Sequence, residues 1–307
     1  MKTLDVLLLA DEKPGHYHLS EGVVAALQRL GPVQLSRLDV KRRRMAPGRL
    51  LRRMAANVAA TRLCGGQNIF LGSLRRFAPE NFDLVITSFD RFKYLPRHIV
   101  ALKPSSINPN TLQRPNKVSK FSRENPPALA GLLIGGNSGQ FKYSAAEWRQ
   151  LLAFIAKVHK EWGTRWLVST SRRTGKEATK AAEALVKNST AVQDFIDYRA
   201  AGPGTLPGIF KAVDLAVVTE DSSTMISEAI ATQLPVIGVT PHLHDHAPHE
   251  AEYRQFMVDK NWIRSLPIAR LGLEEFETAL SEITPMTENH IDVLARRLKK
   301  HLLGLFE

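Results

Sequence analysis

The chain reads as an α/β protein built from two domains, each a parallel sheet flanked by helices. Three observations predict this. Its 307 residues are long for one compact domain and comfortable for two of about 150. Hydrophobic residues make up 44% and charged residues 23%, enough apolar material for cores and too little charge for wholesale disorder. Short apolar runs alternate with stretches of helical periodicity, which is the pattern of successive β-α units.

Taken in order, Leu4–Ala10 is the first expected strand. Asp5 interrupts its apolar run, so a buried strand accounts for it better than a signal peptide. The loop Asp11–His16 leads into a helix from His18 to Leu30, stopped by Gly31-Pro32. Val33–Val40 and Phe82–Thr87 are further strands, and Pro104–Val118 is rich in Pro, Asn and Ser with little periodicity.

The second half is more sharply patterned. Leu129–Ile134 is an apolar strand that runs into Gly135-Gly136-Asn137-Ser138-Gly139. Ser144 and Glu147 make a capping box for a helix whose apolar face is Trp148, Leu151, Leu152, Ile155, Val158 and Trp162, with Gly163 as the stop. Arg165–Thr170 is a strand, then Ser171-Arg172-Arg173-Thr174 and a helix to Lys187. Asp214–Thr219 and Pro235–Thr240 are strands on either side of a helix over Thr224–Thr232, and the last helix spans Ile291–Leu305. Composition breaks at Ser122–Pro127, which places the domains at 1–125 and 126–307. Two Rossmann-like domains facing a cleft follow, with the last helix expected to pack back on the first.

In such sheets ligands gather beyond the carboxyl ends of the strands. That rule selects the loops Gly135–Gly139, Ser171–Thr174, Glu220–Ser223 and Pro241–His249. Gly135 and Gly136 let backbone approach a phosphate, and Asn137 and Ser138 add polar groups. Arg172 and Arg173 can grip a diphosphate bidentately. Ser222, Ser223 and Thr224 lie where a helix begins, whose free N–H groups suit an anion, and Asp221 just before them joins the donor-binding candidates. Each feature also has a plain structural use: a turn, a solvated face, an N-cap. Their common place at strand ends points to a nucleotide-diphosphate pocket. Glu228, one turn into the helix, is placed to accept hydrogen bonds from ribose hydroxyls or to make a salt bridge.

Asp11-x-x-Pro14-Gly15-His16, Ile134-Gly135-Gly136, Ser169-x-Ser171-Arg172-Arg173-Thr174 and Thr219-x-Asp221-Ser222-x-x-Met225-x-Ser227-Glu228-Ala229 together resemble the mitochondrial fission ELM-like family. That family has many bacterial members and is itself similar to GT-B glycosyltransferases. The resemblance implies a GT-B architecture whose second domain grips a nucleoside-diphosphate sugar, with Glu228 matching the acidic residue that holds the ribose. It leaves the activity open.

A transferase must deprotonate an acceptor hydroxyl, and His16 in the first β-α loop suits that chemistry near neutral pH. Asp11 is placed to orient it or to act as the base, and Asp90 is a third candidate. The expected enzyme is a metal-independent glycosyltransferase using a sugar nucleotide, UDP-linked, with no further cofactor; cations and helix N-termini can stabilise the leaving diphosphate. An epimerase or hydrolase of such sugars, or a catalytically silent scaffold, are the alternatives. His242, His244, His246 and His249 with Asp245 resemble a metal site, but they lie in one loop with no matching ligands elsewhere, so no metal is assigned.

The charge balance is 42 Lys+Arg against 30 Asp+Glu, a net +12. Seven of these cations fall within Lys41–Arg53, and Leu50, Leu51, Met54 and Val58 add an apolar stripe at helical spacing. A basic amphipathic helix fits an anionic membrane surface and would suit a lipid-linked acceptor. Nucleic acid is excluded as the expected partner because no aromatic-rich motif accompanies the charge. One cysteine, Cys64, excludes an internal disulfide and a Cys-rich zinc site. With no apolar run near the ~18–20 residues of a membrane span, a cytoplasmic protein, peripheral at the inner membrane face, is expected. Oligomeric state is not legible.

Overall fold

The computed structural model describes residues 2–10, 14–39, 49–74, 77–112 and 120–302, with backbone alone at 14–16 and 49–55. The chain divides into two units, one of residues 1–108 with 288–307 and one of residues 109–287. The first break falls earlier than the composition shift at Ser122–Pro127. Phe121 is buried in the core of the second unit, and the Arg123 N–H donates to Glu277 Oε1 at 2.8 Å. On the other side of the break, Ser105 accepts from His290 Nε2 at 2.9 Å through its carbonyl, and Asn108 pairs with Asn289 at 2.8 Å. These contacts decide to which core each side of the break belongs.

In the first unit, β1 (Leu4–Ala10), α1 (Pro14–Gln28) and β2 (Val33–Asp39) form a β-α-β unit, with β1 parallel to β2 from Leu4↔Val33 to Ala10↔Asp39. The helix begins at Pro14, earlier than the expected His18, because proline is pre-set for the first helical position and its missing N–H costs nothing there. There follow α2 (Arg49–Cys64), β3 (Ile69–Leu71), β4 (Leu84–Thr87) and β5 (His98–Val100). The last three strands form a parallel sheet in the order β3-β4-β5.

The second unit contains β6 (Leu129–Leu133), β7 (Phe141–Lys142), α3 (Ala145–Trp162), β8 (Arg165–Ser169), α4 (Lys176–Asn188), β9 (Val192–Ile196), α5 (Tyr198–Ala201), α6 (Leu206–Ala212), β10 (Leu215–Thr219), α7 (Ser223–Ala231), β11 (Val236–Thr240), β12 (Leu243–His244), α8 (Pro248–Asp259), β13 (Ile263–Pro267) and α9 (Leu273–Glu282). The capping box is formed: the Glu147 N–H donates to Ser144 Oγ, and Glu147 Oε2 accepts from the Ser144 N–H at 2.8 Å. The apolar face of α3 is buried together with alternate residues of β6, β8, β10 and β11.

The final helix, α10 (His290–His301), belongs to the first unit. Its Ile291, Leu294, Ala295 and Leu298 share a core with Val23, Ala26 and Leu27 of α1 and with Leu84, Ile86 and Ile99. Among the described residues no helix is long and apolar enough to cross a membrane.

Candidate functional site

The large sheet of the second unit has the order β13-β11-β10-β6-β8-β9, all strands parallel. In chain order this is 3-2-1-4-5-6 read from the β9 edge, the doubly wound arrangement whose direction reverses between its first and fourth strands. Those strands are β6 and β10. The loops that follow them carry Gly135-Gly136 and Asp221-Ser222, two of the four loops that the strand-end rule selects in the sequence.

The two glycines are demanded by how closely the loops pack. A Cβ on Gly135 would lie 2.3 Å from the Asp221 carboxylate oxygens, and one on Gly136 would lie 2.2 Å from the Arg173 carbonyl oxygen. Gly136 also has φ +149°, a region L-residues avoid. The Gly135 N–H donates to Thr219 Oγ1 at 2.6 Å, and its carbonyl accepts from Ser171 Oγ at 2.7 Å and Thr174 Oγ1 at 2.6 Å. The Ser171–Thr174 turn is thereby tied to the loop after β6.

Arg173 and Arg172 separate here. Arg173 makes an ion pair through Nη2 with Asp221 Oδ2 and also donates to the Asp221 carbonyl at 3.3 Å. Arg172 is exposed. The Asp221 side chain is fully buried, while that of Arg173 is 40% exposed. Burial holds the Asp221 carboxyl above its ordinary range, and the Arg173 charge, a hydrogen bond from Thr219 and the Gly136 N–H pull against it. Thr219 Oγ1 donates to Asp221 Oδ1 at 2.8 Å. The Tyr143 hydroxyl, 3.5 Å from Asp221 Oδ1, is pushed up by its own burial and then by the charges of Asp221 and Glu220.

Asn137 and Ser138 hold their own turn: Asn137 Oδ1 accepts from the Tyr143 N–H at 2.8 Å, and Ser138 Oγ accepts from the Phe141 N–H at 3.2 Å. Ser222 is the N-cap of α7, its Oγ accepting from the Met225 N–H at 3.4 Å. The first-turn N–H groups of a helix have no intrahelical acceptor. Glu228 lies within α7, 8% exposed. Burial raises its carboxyl to about 7.

Sequence reasoning missed a buried ion pair next to this loop. Arg254 of α8 places Nε 3.0 Å from Glu220 Oε2 and donates through Nη2 to the Glu220 carbonyl. Ser265 Oγ donates to Glu220 Oε1. One signal was present: Gly238 stands in the middle of the VIGVT strand, where glycine marks a close approach. A Cβ there would lie 2.2 Å from Glu220 Oε1.

The histidine loop is spread around Phe141. His244 stacks on its ring at 5.9 Å and His246 meets it edge-on at 5.2 Å. The His242 N–H donates to Glu147 Oε1 at 2.5 Å, and His244 Nδ1 lies 2.7 Å from the Pro241 carbonyl. Among the described residues no group of three or more His, Cys, Asp or Glu could hold a metal ion.

Asp11 lies outside the described residues, as does the side chain of His16, which falls in the first turn of α1. Asp90 begins a 3₁₀ turn after β4, and its Oδ2 accepts from Lys93 Nζ at 2.8 Å. Lys41–Arg44 lie outside the described residues, and α2 begins at Arg49.

Two α/β units with parallel sheets, the second carrying a doubly wound switch point, define a GT-B-type fold. Solved structures agree with this across the whole length. The UDP-GlcNAc 2-epimerase of Neisseria meningitidis bound to UDP-GlcNAc matches with a TM-score of 0.57 at 11% identity, covering 98% of this chain and 100% of that one. The MnaA–UDP structure from S. aureus matches at 0.56 and 9% identity, covering 98% and 97%. MurG of Acinetobacter baumannii matches at 0.50 and 12% identity, covering 98% and 100%. At such identities the likeness is one of fold. No curated protein matches the chain by sequence. The profile of Mitochondrial fission ELM1 matches residues 75–302, and the chain belongs to that family. The match leaves Pro14-Gly15-His16 outside it and includes the loops after β6, β8 and β10.

Proposed function

We propose that the protein is a glycosyltransferase that takes its sugar from a nucleoside diphosphate, UDP-linked, and that the second unit is the donor side. The observation that carries this is the meeting, at the switch point between β6 and β10, of a glycine-floored loop, an arginine turn and the residues that open α7, with Glu228 buried further along that helix. The α7 N–H groups and Arg172 would bind the diphosphate. Arg173, held by Asp221, would shape the floor and present its exposed edge. Asn137 and Ser138 would keep the loop after β6 in place, and Glu228 would accept from the ribose. The chemistry needs no metal if these groups stabilise the leaving diphosphate, and no cofactor beyond the sugar nucleotide. Two structures of the same fold, from N. meningitidis and S. aureus, hold UDP-GlcNAc and UDP, which supports the choice of nucleotide.

His16 is the proposed base for an acceptor hydroxyl, with Asp11 as its partner. The Lys41–Arg53 segment is the proposed contact with an anionic membrane carrying the acceptor, on the inner face. Epimerases share this fold, so epimerisation or hydrolysis of the same donor is the second reading. Calorimetric titration with UDP and UDP-sugars tests the donor site, with Glu228→Gln and Arg172→Gln as controls. Absence of binding at millimolar nucleotide overturns it. Product analysis with and without acceptors separates transfer from epimerisation, and binding without turnover would leave a silent scaffold.

A further inference from the structure

The loop that leaves β4 is built unlike an ordinary surface turn. Phe89 is buried, and its ring packs against Phe92 at 6.1 Å, which in turn meets His98 at 5.8 Å. The backbone above this base is fixed. The Phe92, Lys93 and Leu95 N–H groups donate to the carbonyls of Phe89, Asp90 and Phe92, each at 3.0 Å. Arg97, at φ 58°, returns the chain to β5. On this rigid footing the tip, Lys93 to Arg97, is exposed at every residue. Tyr94 is 87% exposed and Leu95 43%.

An exposed Tyr-Leu pair on an ordered turn gains nothing for folding. What surrounds it narrows the use. Arg91 lies over the Phe89 and Phe92 rings at 5.4 and 4.9 Å, and Lys93 Nζ lies 5.1 Å from the centre of the Tyr94 ring. The loop itself carries three cations, Arg91, Lys93 and Arg97, and one carboxylate, Asp90, which is paired with Lys93. An aromatic and an aliphatic side chain at the tip of a loop that also carries three long cationic side chains match the boundary between acyl chains and anionic headgroups. A protein groove would accept the apolar pair but gives no reason for the excess of cations in the loop.

We infer that the Asp90–Arg97 loop is a docking knob for an anionic lipid surface: Tyr94 and Leu95 enter the interface, and Arg91, Lys93 and Arg97 meet the headgroups. The site uses residues separate from the Lys41–Arg53 segment and from the donor pocket, so it stands or falls apart from both.

The test is sedimentation of the full chain with phosphatidylcholine vesicles, neutral or carrying about 30% phosphatidylglycerol. Binding to the anionic vesicles alone is expected. The Tyr94→Ala/Leu95→Ala variant should lower the partition coefficient about tenfold, and Arg91→Gln/Arg97→Gln about fivefold per charge at low salt. All four positions are solvent-facing, and circular dichroism checks that the fold is kept. A Tyr94→Trp variant gives the local readout: its added emission should shift blue and be quenched by brominated lipid. No binding to anionic vesicles overturns the inference. Binding with an unshifted, unquenched signal at position 94 also overturns it and assigns the contact to another surface, such as Lys41–Arg53. UDP titration of the same variants should be unchanged, so a failed lipid result leaves the donor reading intact.

Discussion

Arg254 and Glu220, 34 residues apart in sequence, form a buried ion pair at the end of β10, with Nε 3.0 Å from Oε2. The same guanidinium donates to the Glu220 carbonyl, one residue before Asp221. The pair therefore ties α8 to the loop that carries the proposed diphosphate site. Removing one member leaves a buried charge without its counter-ion, which typically costs ~3–5 kcal/mol. Arg254→Met should lose about that much in urea unfolding, and adding Glu220→Gln should recover part of it. An Arg254→Met protein as stable as the parent would refute the pairing.

Gly136 and Gly238 should reject alanine for reasons of contact, whatever the ligand. Gly136→Ala combines a positive φ with a 2.2 Å approach to the Arg173 carbonyl, and a loss of about 2–4 kcal/mol is expected. Gly139→Ala is the control, since a Cβ there meets nothing within 4 Å; it should stay within about 0.5 kcal/mol. Thermal melts of the three variants decide the matter.

Glu228 gives stability a pH dependence. Its carboxyl is raised from 4.5 to about 7 by burial, so the folded protein keeps a proton that the unfolded chain has lost. The contribution is complete below the unfolded value and is lost as pH rises through about 7. Its size is on the order of 3 kcal/mol. Denaturant unfolding between pH 4.5 and 8 should show this decline in the parent and a flatter profile in Glu228→Gln. Equal slopes would show that Glu228 does not titrate this way.

The two neighbouring arginines should behave differently. Arg172→Gln, at an exposed position, should leave stability within about 0.5 kcal/mol and weaken UDP binding about tenfold. Arg173→Gln should also destabilise the fold, because Asp221 is fully buried against it. Without Arg173 the Asp221 carboxyl rises further, so the penalty should shrink as the pH falls and the group takes up a proton. Calorimetry and melts on both variants separate the roles.

If Glu228 accepts from ribose hydroxyls, its ionised form is the binding form. UDP affinity should then rise with pH through about 7, and Glu228→Gln should bind weakly at every pH. A pH-independent affinity in the parent protein would remove Glu228 from the ribose site.

Much of the second unit is legible in the order of its amino acids. The apolar runs at Leu129, Arg165, Asp214 and Pro235 predict buried parallel strands, and β6, β8, β10 and β11 stand there. The capping box at Ser144 and Glu147 is formed as the spacing predicts. Less visible are β9 and β13, which carry exposed polar residues at the two edges of the sheet and so lack a continuous apolar run. The short β3 and β5 are also hidden, because three residues are too few to show a period.

By itself the sequence determined the parallel α/β alternation, the loops rich in Gly, Arg and Ser at strand ends, and Glu228 inside an otherwise small, apolar helix. Propensity, capping and periodicity act over a few residues, and these features are local. Only the tertiary structure decided that β6 and β10 are neighbours, that Arg173 serves Asp221 while Arg172 faces solvent, and that Arg254 neutralises Glu220. The return of the last helix to the first unit is expected from the sequence, and the structure supplies its partners there, Val23, Ala26 and Leu27. Each of these contacts joins residues dozens of positions apart or more, and such partners are chosen by which apolar faces pack and which buried charges must be paired.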